Sequence, residues 1–272
     1  MKARIGLIAA AALTCGAALL PPITAAVTAA PITQTYPVLS VSQSGGFVPV
    51  EWAHMRTPEA VLYSDGTLLA TSLVTTMIYP GPAAPTILRK VAPGSIGRIL
   101  SAADDAKLTD PQFDWGIPGV TDAPNTDVTS QRSPLGRTTF VSVYALGING
   151  RGLTRSQVGA RAAADGFVSS LTSFSGTLIP TKSRPTAWVS PRWAYWATPA
   201  EPDRFSVVRR WFGAKPLQTS VACVDFTTAE NRTLVSLLPK LNQASRWQSG
   251  GKTWQLRLRP LFPHETGCAP QR

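Results

Sequence analysis

Two histidines and three cysteines in 272 residues leave little for proton transfer or metal binding. His54 and His264 are the only imidazoles that could serve a Ser-His-Asp triad. Neither lies in a diagnostic motif, and the chain has no Gly-x-Ser-x-Gly elbow. Both read as surface or turn histidines. Ser249-Gly250-Gly251-Lys252 has Ser-x-x-Lys spacing, but that chemistry needs a helix to bring Lys one turn above Ser. Here the glycines mark a turn before an alternating strand. Gly251-Lys252-Thr253 imitates the end of a phosphate-binding loop, with Arg246 where the first glycine should be. No residue is assigned a catalytic role, and no metal or cofactor is expected.

Two constellations carry more. Asp110, Asp114, Asp122 and Asp127 crowd a Pro/Gly-rich region. A carboxylate pair can hydrolyse a glycosidic bond, and aspartates can ligate calcium, although no Asp-x-Asp-x-Asp-Gly loop is present. Aspartate is also common in turns, where its side chain accepts from nearby amides. The second constellation is basic and aromatic: Trp188, Arg192, Trp193, Tyr195, Trp196, Arg204, Phe205, Arg209, Arg210, Trp211 and Phe212. Indole and phenol faces stack on sugar rings, and Arg forks onto phosphate or carboxylate. Arg192, Trp193, Trp196, Arg204, Arg209, Arg210 and Trp211 are therefore the polyanion-binding candidates. The competing reading packs the tryptophans into a core or a seam, with arginine stems covering it.

Charge supports a division of the chain. Residues 30–177 hold ten Lys+Arg and ten Asp+Glu, whereas residues 178–272 hold fourteen and five, net +9. We place a boundary within Ser175 to Pro185, giving a first unit at 30–177 and a basic second unit at 178–272. Residues 1–29 read as a secretory signal: Lys2 and Arg4, an apolar run from Ile5 to Leu20, the Pro21-Pro22 break, then small residues. Cleavage is expected after Ala29, with Ala25 as the alternative. The run is short of the roughly 20 residues a spanning helix needs, and no transmembrane segment is expected in the mature chain. Cys15 leaves with the signal. Cys223 and Cys268 then remain as an even pair in an exported chain, which reads as one disulfide.

The elements that must position these residues follow from local pattern. Phe47 to Trp52 suggests a strand with Pro49 at an edge. Ala60 to Tyr63 and Thr67 to Leu69 flank Ser64-Asp65-Gly66, a hairpin signal. Ser95 to Leu108 suggests a helix capped by Ser95. Thr126 to Thr129 and Thr138 to Leu146 suggest a strand pair. Thr154 to Phe174 is a helix opened by a Thr154/Gln157 capping box, with Val158, Ala162, Phe167, Leu171 and Phe174 on its apolar face. Ala187 to Val189 and Ser220 to Val224 suggest strands. Thr227 and Glu230 cap a further helix, which Pro239 kinks or ends. In Thr253 to Leu258, Trp254, Leu256 and Leu258 alternate with Gln255 and Arg257, as in a half-buried strand. The expected fold is α+β, with two small antiparallel sheets, each packed with one or two helices.

The order of short segments carries a resemblance. Gly45-Gly46-Phe47, Tyr63-Ser64-Asp65-Gly66, Gly119-Val120-Thr121-Asp122-Ala123-Pro124, Val141 to Gly147 and the tail Leu258-Arg259-Pro260-Leu261-Phe262-Pro263-His264-Glu265 follow one another. This resembles uncharacterised exported proteins of high-GC Gram-positive bacteria. The resemblance implies export and an α+β fold, and it brings no catalytic residue. The expectation is a secreted or cell-envelope-associated binding protein. Its partner would be an anionic envelope glycopolymer or another exported protein rather than nucleic acid. The alternative is a carboxylate-dependent cell-envelope hydrolase.

Overall fold

The computed structural model describes residues 35–71, 81–148, 150–173 and 184–268. The expected signal segment, and most of the expected boundary at 175–185, lie outside the described residues. Seven strands form the first sheet: β1 (Pro37–Gly45), β2 (Ala60–Tyr63), β3 (Thr67–Thr71), β4 (Thr86–Lys90), β5 (Pro124–Gln131), β6 (Thr138–Tyr144) and β7 (Thr186–Trp188). Their order is β6-β5-β1-β2-β3-β4-β7, antiparallel throughout.

The turn chemistry read from sequence builds the centre of this sheet. Asp65 Oδ1 accepts from Thr67 N at 2.9 Å, and its Oδ2 accepts from Lys90 Nζ at 2.8 Å. Gly66 takes φ +78°, and a Cβ there would stand 2.5 Å from the Val91 carbonyl oxygen, so the turn requires glycine. β2 is buried on both faces, which is why Ala-Val-Leu-Tyr shows no alternation. Ala60 and Leu62 face a core shared with α2 (Pro93–Asp105) and α3 (Arg155–Ser173), where Ile99, Ala103, Phe167 and Leu171 pack. Val61 and Tyr63 face the other way, onto Phe262 from the C-terminal segment. Each such fully buried side chain contributes roughly 1.5–3 kcal/mol.

The second sheet contains β8 (Trp193–Pro199), β9 (Val208–Arg210), β10 (Val224–Asp225), β11 (Arg246–Ser249) and β12 (Lys252–Pro260), ordered β10-β8-β12-β11-β9. Its core lies against α4 (Thr228–Leu237), where Trp193, Trp247, Trp254 and Leu234 are buried. Thr227 and Glu230 form the expected capping box, and the helix ends at Leu237 before a 3-10 turn containing Pro239. Cys223 and Cys268 are disulfide-bonded, with Cα atoms 5.7 Å apart. The Cys268 amide also donates to Asp225 Oδ1 at 2.9 Å.

The α+β class is as expected, but the sheets have seven and five strands and are not small. The added strands, such as β1 (PVLSVSQSG) and β4 (TILRK), mix Pro, Ser, Gly and Arg into the pattern, so their apolar alternation is short. β9 and β11 also pair in parallel. Phe47 to Trp52 is no strand: β1 ends at Gly45, Gly45 and Gly46 take positive φ, and α1 (Val50–Met55) follows. α2 begins after Ala92 with no side-chain cap. Ser95 is buried inside its first turn and accepts from Arg98 Nη2 at 3.1 Å. Of the expected α3 face, Phe167 and Leu171 are buried, Ala162 is exposed, and Phe174 lies outside the described residues. The Ser220 to Val224 strand shrinks to the two residues of β10.

β7 follows the expected boundary yet pairs with β4 in the first sheet, and residues 34–272 form one compact unit. The C-terminal segment is fastened to the first sheet by polar contacts as well. Tyr63 Oη and His264 Nδ1 are 2.8 Å apart. Burial holds the Tyr63 hydroxyl protonated far above its ordinary range.

Candidate functional site

The alternation of β12 defines two faces. Trp254, Leu256 and Leu258 enter the α4 core, and Gln255, Arg257 and Arg259 point to the opposite side. The neighbouring strands extend that second face. Arg246 of β11 pairs with Gln255, and Trp196 of β8 pairs with Arg257. In a sheet with one solvated side this polar row would meet water. Here it meets α1 and the end of β2's preceding loop. Arg259 is fully buried, donates from Nε to the Arg56 carbonyl at 2.7 Å, and pairs with Glu265. His54 stacks on Trp196 with ring centroids 5.3 Å apart at 21°. The Arg257 guanidinium carbon lies 4.0 Å from the Trp52 ring centroid. Met55 Sδ touches Cys223 Sγ at 3.5 Å.

Between these contacts the two sheets leave a cleft of about 730 Å³, within the roughly 300–1,000 Å³ of small-molecule sites. Arg56, Arg246 and Arg257 line it together with Glu59, Gln43 and Asp203, and apolar walls come from Trp52, Met55, Ala83 and Ala244. Arg246 is 8% exposed. Its Nη1 reaches the Gln243 and Ser245 carbonyls only at 3.4 Å each, and its Nε is buried without an acceptor. Arg56 Nη1 is likewise buried without an acceptor. Such a donor forgoes a hydrogen bond costing roughly 1–3 kcal/mol, and more where the group is charged.

No carboxylate among the described residues hydrogen-bonds these donors, although the charge of Arg246 acts to lower the pKa of Asp203 and that of Arg56 acts to lower the pKa of Glu59. Among the described residues no ion pair joins Glu59 or Asp203 to a cleft arginine. Burial raises the Glu59 pKa, against the Gln43 hydrogen bond at 2.6 Å and the charge of Arg56, which lower it. Asp203 is exposed and accepts from the Phe205 amide at 2.8 Å and the Ser206 hydroxyl at 2.9 Å within its own turn. Arg257 is partly buried, which pulls its pKa down, while the charge of Glu51 opposes that shift. It remains a cation with one face on the Trp52 ring. The arrangement can hold an oxyanion against planar N–H edges, beside an apolar wall.

The residues singled out from sequence do not form one surface. Trp193 and Trp211 belong to the α4 core, with indole N–H groups donating to Ser190 O at 2.7 Å and Lys215 O at 2.8 Å. Trp196 is buried on the other face under His54. Arg192 is half-buried and donates to the Phe262 and Glu265 carbonyls, tying down the C-terminal segment. Arg209 Nη2 donates to Lys240 O at 3.0 Å, whereas Arg210 is exposed on the opposite side of β9. Arg204 is exposed over the Phe205 ring at 4.5 Å.

Three of the four aspartates sit in loops, and Asp127 lies within β5. Asp110 and Asp114 accept from the amides of Gln112 at 3.0 Å and Gly116 at 2.9 Å. Asp122 takes φ +61°, and Asp127 is buried and accepts from Ser142 Oγ at 2.6 Å. None of them lines the cleft. Ser249 and Lys252 flank the β11–β12 hairpin, whose Gly250 and Gly251 both take positive φ, and Ser249 Oγ accepts from the Leu217 amide at 2.9 Å. Among the described residues no group of three or more His, Cys, Asp or Glu could hold a metal ion, and no helix is long and apolar enough to cross a membrane.

Sequence reasoning overlooked Arg56, Glu59 and Arg246. The one signal for the site was the polar half of the β12 alternation, Gln255 and Arg257. No protein-family model, curated protein or solved structure matches this chain.

Proposed function

We propose that this is an exported, non-catalytic binding protein of the cell envelope, and that it takes an anionic ligand in the cleft between its sheets. One observation carries the reading: the side chains of Arg56, Arg246 and Arg257 line one cleft, and among the described residues no ion pair joins any of them to a carboxylate. A buried guanidinium of that kind is a preformed half of a charge-assisted hydrogen bond, and a carboxylate or phosphate is the other half. The signal-like N-terminus, the Cys223–Cys268 disulfide and the net +9 of residues 178–272 agree with an exported protein working against a polyanionic surface.

The anionic partner expected from sequence is kept, and the residues assigned to it change from the Arg192–Trp211 group to Arg56, Arg246 and Arg257. The test is co-sedimentation of residues 30–272 with isolated cell envelopes at low and high salt. The wild type is compared with an Arg246→Gln/Arg257→Gln variant shown by thermal melting to be folded. Retention by the wild type at low salt, with loss in the variant, is expected. Equal retention of both proteins, or none of either, overturns the assignment.

A further inference from the structure

We infer that the ligand is an anionic amphiphile, a single acidic head group on an alkyl chain, rather than a glycopolymer; this rests on the anion reading of the same cleft. Three features of the wall carry it. First, the three arginines are gathered on the β12–β11 face and the adjoining turn at Arg56, while Met55, Ala83 and Ala244 supply stretches of wall without hydrogen-bonding side chains among polar residues that include Glu59 and Asp203. A sugar presents hydroxyls around its whole ring and leaves them unsatisfied against such walls. An alkyl chain has nothing to satisfy.

Second, the aromatic side chain that could act as a sugar platform is already in use. One face of Trp52 is occupied by Arg257, and Trp196, the other tryptophan on this side of the second sheet, is buried under His54. Third, the segment that supplies Trp52 and Met55 to the cleft wall exposes further apolar side chains to solvent. Trp52 is 49% exposed, and ahead of it on the same short segment Val50 is 59% and Phe47 90% exposed. An exposed run of this kind beside a site suits a ligand drawn from an apolar phase, such as a lipid surface, and the charged end then seats against the arginines.

Burial of alkyl chain has a quantitative signature. Each methylene taken from water should strengthen binding about fourfold, so each two-carbon extension should do so about fifteenfold. The test is calorimetric titration of wild-type residues 30–272 with octanoate, decanoate and dodecanoate below their micellar concentrations. Decanol and inorganic phosphate serve as controls, and Arg257→Gln as the variant. The expected result is a steep rise with chain length, no measurable phosphate binding over the same range, and at least tenfold weaker decanoate binding by Arg257→Gln. Carboxylates of equal affinity whatever their length, or phosphate as tight as dodecanoate, overturn the amphiphile and leave the anion reading standing. Decanol as tight as decanoate, with Arg257→Gln unchanged, overturns the anion reading itself. No binding of any carboxylate overturns the amphiphile.

Discussion

Trp52 and Arg257 are stacked, with the guanidinium carbon 4.0 Å from the ring centroid, and this contact joins α1 to β12 along one wall of the cleft. The indole is half in water, so the contact sits in the weaker range of cation–π pairs, about 0.5–1 kcal/mol. Trp52→Ala should therefore lower stability in urea by about 1 kcal/mol. It should also weaken decanoate binding several-fold, because Arg257 loses the surface that orients it. Trp52→Phe should keep most of both. An alanine variant indistinguishable from wild type in both measurements would show the stack to be incidental.

Glu59 gives the cleft a pH dependence of definite sign. Burial raises its folded-state pKa above the unfolded value, so ionisation opposes folding. The neutral acid is the favoured form below the unfolded pKa, and the penalty grows as pH rises through the folded pKa. Measured by urea unfolding from pH 4 upwards, wild type should lose stability relative to Glu59→Gln as pH rises. The variant should also bind decanoate more tightly at pH 7, having one carboxylate fewer near the ligand. A flat difference between the two proteins would contradict the buried-carboxyl description.

Arg161 is fully buried in α3, and its Nη2 donates to the carbonyls of Tyr144, at 2.7 Å, and of Ala145. Ala145 itself takes φ +50°, a strained position for a residue with a side chain. Arg161→Met removes the donors, and although the Ala145 carbonyl keeps the Ile148 amide at 3.1 Å, the lost charge-assisted bonds should cost about 2–3 kcal/mol. Lysine lacks the planar fork, so Arg161→Lys should recover only part of it. Denaturant midpoints of the three proteins give the comparison, and a lysine variant equal to wild type would mean that charge alone is needed there.

The disulfide spans a sequence separation of 45, which corresponds to about 4 kcal/mol on the chain-entropy description. Cys223→Ser/Cys268→Ser should lower stability by an amount of that order. Decanoate affinity of the folded fraction should change little, because Cys223 reaches the cleft only through Met55. A stability change under 1 kcal/mol would place the C-terminal restraint elsewhere, in Phe262 and the Tyr63–His264 contact.

Much of the scaffold was legible because its signals are local. The Asp65-Gly66 turn, the Thr154/Gln157 and Thr227/Glu230 caps and the β12 alternation each depend on residues a few positions apart. The cysteine pairing was legible because only Cys223 and Cys268 lie beyond the N-terminal segment that reads as a signal. β8 was hidden by its own composition: Trp-Ala-Tyr-Trp-Ala shows aromatics at irregular spacing, and it is central and buried on both faces. The site was the least legible part. Alternation shows that Gln255 and Arg257 share a face, but nothing local says whether that face meets water or another sheet. Arg56 and Arg246 are 190 residues apart, and only the packing of α1 over β8 and β12 brings them to one cleft. Nearness in sequence does not keep the Arg192–Trp211 group together in space: Trp193 and Trp211 join the α4 core, Trp196 lies on the other face of β8, and Arg204 is in an exposed turn.

Occupation of the cleft by an anion held against Arg246 and Arg56, as proposed, is open to direct observation. The most direct measurement is an anomalous difference map from crystals of residues 30–272 soaked in 12-bromododecanoate. Carboxylate density is expected within about 3 Å of the Arg246 and Arg56 side-chain nitrogens, with a bromine peak along the Met55–Ala83 wall. Bromine elsewhere on the protein, with the cleft holding only ordered water, would contradict it.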